Sequence, residues 1–120
     1  MTIRTFKDLD VWKQGHALVL AVYRQTHEFP SHELFALTNQ MRRAAVSITS
    51  NIAEGFGRQG EKDKVHFYVI AKGSLYEIQS QLQIALDLGY LTVSTHDQLE
   101  ADCTRVAQLL HGLIRSVNAR

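Results

Sequence analysis

From Ala44 to Ala53 the chain carries no charged residue, yet the apolar positions in and around that stretch keep helical spacing. At about 100° per residue, Leu37, Met41, Ala44, Ile48, Ile52 and Gly55 fall on one side. A polar stripe of Gln40, Arg43, Ser47, Asn51, Glu54 and Arg58 runs beside them. The third side holds Val46, Thr49 and Ala53, small and uncharged. A helix on a monomer's surface turns charged residues to water opposite its apolar stripe. This one offers none for nearly three turns, so it is expected to be covered on more than one side. A chain of 120 residues has few places for that. A subunit interface through Val46, Thr49 and Ala53 is the expectation.

The rest of the chain reads as helix too, with spans of about 8–28, 33–57, 61–88 and 95–118. In the first, Leu9, Trp12, His16, Val19, Tyr23 and His27 recur at three- and four-residue steps, with Val11, Leu18 and Val22 as a neighbouring row. Asp8 is the expected N-cap, and Pro30 forces the chain out of helical geometry before it. Gly15 costs about 1 kcal/mol relative to Ala inside a helix, and a close helix crossing is one reason to keep it. Ser31 is the expected cap of the second helix, which ends in Gly55-Phe-Gly57-Arg-Gln-Gly60. That loop is no phosphate cradle, since it follows no strand and lacks GxxxxGK[ST]. Ser94 with Asp97 suggests a capping box for the fourth helix. Leu99, Cys103, Val106, Leu110, Leu113 and Val117 then form a heptad seam. The predicted fold is all-α: a single domain built as an up-down-up-down antiparallel four-helix bundle.

An apolar fraction of 45% and a charged fraction of 21% are ordinary for a soluble globular domain. One cysteine cannot close a disulfide within the chain, and the N-terminal residues form no apolar run; a cytoplasmic protein with no membrane partner is expected. The net charge of +1 conceals an asymmetry. Residues 42–72 hold six basic and three acidic side chains, and residues 73–102 hold five acidic and none basic. The basic set Arg42, Arg43, Arg58, Lys62, Lys64 and Lys72 is the candidate for phosphate contacts, repeated around an oligomer as a collar.

Catalytic chemistry finds little footing. HExxH is absent, as are the ExxH pairs of di-iron bundles, so neither a metal nor another cofactor is expected. No histidine or lysine is spaced to activate a serine, and Cys103 in an apolar seam reads as a small hydrophobe. Ser47, Asn51, Glu54, Ser74 and Glu77 are the candidates for a buried polar network that fixes register or subunit pairing. A Glu54–Glu77 pair is the candidate for acid–base work or, with a third carboxylate, for holding a metal in a bundle, but the buried network is the expected reading.

Val11-Trp12, Tyr23, Phe29-Pro30, LTNQMRRAAVSITSNIAEGFGR at 37–58, AKGSLYE at 71–77 and QLQIALDLGYL at 81–91 together resemble the four-helix-bundle proteins encoded in intervening sequences of bacterial 23S ribosomal RNA genes. The resemblance spans roughly residues 5–115. It implies a ring-like homopentamer of antiparallel bundles. It also implies a distant similarity to the accessory variability proteins of diversity-generating retroelements, which bind nucleic acid and a reverse transcriptase through basic surfaces. Those relatives are strongly basic, whereas this chain is nearly neutral. The expected function, resting on the local basic set and not on net charge, is a non-enzymatic homo-oligomer that binds RNA, DNA or a nucleic-acid-processing partner through a basic surface. The alternative is a structural or protein-binding scaffold with no nucleic-acid role.

Overall fold

Four helices carry the chain: α1 (Asp10–Thr26), α2 (Asn39–Gly57), α3 (Glu61–Asp87) and α4 (Val93–Asn118). The structure, a computed structural model, describes residues 2–120. Each helix packs against its two neighbours, α1 on α2 and α4, and α3 on α2 and α4. This is the expected four-helix bundle, 46 × 25 × 21 Å, with no strand among the described residues. No helix of the described residues is long and apolar enough to cross a membrane.

The core is one cluster running the length of the bundle. Val22 from α1, Ile48 and Ile52 from α2, Leu75, Ile78 and Leu82 from α3, and Cys103 and Leu110 from α4 are sealed from solvent. The α4 seam follows its heptad, with only Leu113 left half-buried. On α1 the outcome differs from the expectation. The buried row is Val11, Gly15, Leu18, Val22 and Thr26, with Val19 at its edge, while His16, Tyr23 and His27 are exposed. The crossing with α2 decides this. A methyl group at Gly15 would stand 3.1 Å from Thr49 Cγ2, so the glycine lets the two helices approach there. Thr49 is consequently buried against α1, and not on an outward face with Val46 and Ala53 where the interface expectation had it.

The helix ends also depart from expectation. Asp8 does not cap α1; it serves a 3₁₀ turn at Phe6–Asp8. Its carboxylate accepts from the Arg4 and Thr5 backbone N–H groups at 2.8 and 3.0 Å, which hold it below the usual aspartate range. The second helix is broken. A 3₁₀ turn (Ser31–Glu33) without a side-chain cap leads into a π-helical turn (Leu34–Thr38), where Ala36 is non-helical at φ −125°, ψ −109°. The break buries Leu37 and Thr38 and leaves Leu34, Phe35 and Ala36 outside. Glu33 closes it, accepting from the Leu37 N–H at 3.4 Å and from the Tyr90 hydroxyl at 2.8 Å. Gly89, at φ +80°, turns the chain after α3 in a conformation that disfavours a side chain. Thr92, not Ser94, caps α4, its hydroxyl accepting from the Thr95 N–H at 3.1 Å.

Candidate functional site

Antiparallel packing of α2 on α3 brings Ser47 opposite Ser74, their hydroxyls 2.8 Å apart. Asn51, one turn along, donates to the Ser47 carbonyl at 2.8 Å and to its hydroxyl at 3.0 Å. Three of the five expected network residues thus form one cluster. Glu54 and Glu77 stand outside it, both exposed. With Ser47 facing Ser74, Glu54 faces a position ten residues from Glu77, about 15 Å along the helix axis. The two carboxylates therefore cannot work as a couple. Glu54 pairs with Arg58 at 3.3 Å on the surface.

The six basic candidates do not share one surface. Arg42 reaches back to α1, its Nε donating to Thr26 Oγ1 at 2.9 Å and its guanidinium lying 4.8 Å above the Tyr23 ring. Arg58 covers the Phe67 ring at 4.7 Å. Lys64 caps α2, its ammonium donating to the Phe56 and Gly55 carbonyls at 2.8 and 3.3 Å. Burial, with Arg120 near, pulls that ammonium below the usual lysine value. These three cations are engaged within the chain. Arg43 and Lys62 are exposed, and Lys72 turns to the other flank of α3, toward α4.

There Lys72 and Tyr76 of α3 meet Thr104, Gln108, His111 and Arg115 of α4 around an open cleft of about 480 Å³. His111 and the aromatic Tyr76 were not singled out by sequence. The signal existed: Thr104, Gln108, His111 and Arg115 recur four, three and four residues apart, a polar row beside the heptad seam. The other feature that escaped is the outward face of α3. Val69, Ile70, Ile84 and Leu88 are substantially exposed there, around Gly73, whose missing methyl would meet nothing within 4 Å. Val46 of α2 is also exposed, and Ala53 is half-buried, in keeping with an outward position.

No group of three or more metal-ligating side chains occurs among the described residues. Burial, with Glu100 and Asp102 adding repulsion, pushes the Cys103 thiol up to about 12, so it stays protonated and unreactive at neutral pH.

The sequence model of the family described as 23S rRNA-intervening sequence protein matches residues 7–112. Among solved structures, the chain is similar to a protein of unknown function from the S23 ribosomal protein family of Bacteroides thetaiotaomicron VPI-5482. The two are 22% identical with a TM-score of 0.82, over 91% of this chain and 98% of that one. No curated protein matches.

Proposed function

The chain belongs to the 23S rRNA-intervening sequence protein family, and from that premise we propose that it is a non-enzymatic, self-assembling module that binds RNA or DNA. The assembly is a closed homo-oligomer, a pentamer by its resemblance to ring-forming bundles, in a reducing cytoplasm. The observation that carries the reading is the outward face of α3. Ile70 and Ile84 lie exposed at 39 and 46% on the α3 face that carries Gly73, and Val46 of α2 is exposed at 39%. Exposed apolar patches of this kind mark protein contacts.

The nucleic-acid component rests on the cations left free, Arg43, Lys62 and Lys72 among the expected six. A salt titration of binding tests it, because phosphate contacts give a steep log–log slope. Replacing Arg43 and Lys62 by Gln should flatten that slope. The second reading, a scaffold with no nucleic-acid role, is favoured by the internal engagement of Arg42, Arg58 and Lys64. Under it, no binding is measurable even at low salt.

A further inference from the structure

We propose that the α3–α4 cleft is a nucleotide-unit site, in which Lys72 and Arg115 hold a phosphate and Tyr76 stacks on the base. The site deepens the nucleic-acid reading above and rests on it for its natural ligand. Three cationic or protonatable side chains, Lys72, His111 and Arg115, converge on the cleft, and none of the described residues lining it is acidic. None of the three takes part in an ion pair among the described residues. This contrasts with Arg58, which has a carboxylate partner, and with Lys64, which is spent on helix carbonyls. Uncompensated positive charge facing a concave surface attracts an anion.

The cleft's other contents narrow the anion's class. Tyr76 is 58% exposed, and its ring packs on no other aromatic ring among the described residues. Aromatic rings beside a cationic groove are how proteins hold unpaired bases. Thr104 and Gln108 add side chains that both donate and accept hydrogen bonds, suited to a sugar hydroxyl or a base edge. The cleft is open to solvent along its length, so a strand can lie across it. One nucleotide, free or within a single strand, matches the cleft in charge and flatness.

The test uses the full chain, a fluorescently labelled single-stranded 20-mer of uridine followed by anisotropy, and uridine monophosphate followed by saturation-transfer NMR. Tyr76→Leu should weaken strand binding about tenfold with the salt slope unchanged, and Tyr76→Phe should restore it. Lys72→Gln with Arg115→Gln should lower the log–log salt slope by about 0.7, one phosphate contact's worth on a single strand. All these positions are at least partly exposed, and circular dichroism confirms that each variant folds. Strand binding that is lost in Arg43→Gln/Lys62→Gln but untouched by the cleft variants would overturn the site and leave the nucleic-acid reading standing. Monophosphate binding that depends on Lys72 and Arg115, without strand binding, would keep the site and overturn that reading. Binding of neither probe by the native protein at low salt overturns both.

Discussion

At Gly55 a single hydrogen atom decides how closely α2 and α3 pack. A methyl group there would stand 2.6 Å from Tyr68 Cε1 and 3.1 Å from the Lys64 carbonyl oxygen, and the Tyr68 ring is itself buried. Gly55→Ala should therefore destabilise the fold by about 1–3 kcal/mol, the usual range for overpacking, despite alanine's better helix propensity. Thermal or urea unfolding measures it, and an unchanged midpoint would show that the ring can move aside. Glu54, by contrast, is a surface residue, its side chain 53% exposed and paired only with Arg58. Glu54→Leu should shift stability by about 0.5 kcal/mol or less, and a larger loss in the same melts would restore it to a buried network. Cys103 gives a pH dependence. Its thiol rises to about 12 in the folded chain from 9.0, so the folded state resists ionisation. The stability this confers is whole below about pH 9 and is lost as pH climbs toward 12. Native protein at pH 8 should resist a thiol reagent until denaturant is added; rapid labelling without denaturant would place the thiol in water.

The elements were legible to different degrees. The α4 seam could be read directly, because Leu99, Cys103, Val106, Leu110 and Val117 are the only apolar row at that spacing and all are buried. On α1 two rows compete, and periodicity does not choose between them: Trp12 packs on the core and Val19 is buried, while His16 and Tyr23 are exposed. The choice is made by the approach at Gly15 to Thr49, a tertiary fact. The break at Ala36 was hidden for a similar reason: no residue there forbids helix, and the break accompanies the burial of Leu37 and the Glu33–Tyr90 hydrogen bond, both tertiary. Of the candidate site, Ser47, Asn51 and Ser74 were found because they share a stripe across one helix pair. The outward face of α3 was missed because its apolar residues lie on several sides, and spacing alone does not say which side has a partner. Gly73 probes that face. Where nothing covers it, Gly73→Ala should stabilise the chain by about 0.5–1 kcal/mol. If a neighbouring subunit approaches closely there, the added methyl should instead lower the melting temperature and make it more dependent on concentration. Stabilisation at every concentration would clear the face of any close contact.

For the whole molecule, assembly and the distribution of charge are two sides of one arrangement. A lone bundle would leave Val46, Ile70 and Ile84 in water. A closed ring would cover that face while repeating Arg43, Lys62 and the Lys72–Arg115 cleft around its surface, so that weak single contacts add through multivalency. Without assembly the free cations of one nearly neutral chain make a weak nucleic-acid site. Val46→Arg, which places a charge on the expected contact without touching the core, should dissociate the ring while preserving helicity. Light scattering coupled to gel filtration at micromolar concentration measures the mass most directly. A pentamer gives one peak at about five times the 13.6 kDa of a single chain and Val46→Arg falls to 13.6 kDa; a native protein that runs monodisperse at the mass of one chain would contradict self-assembly.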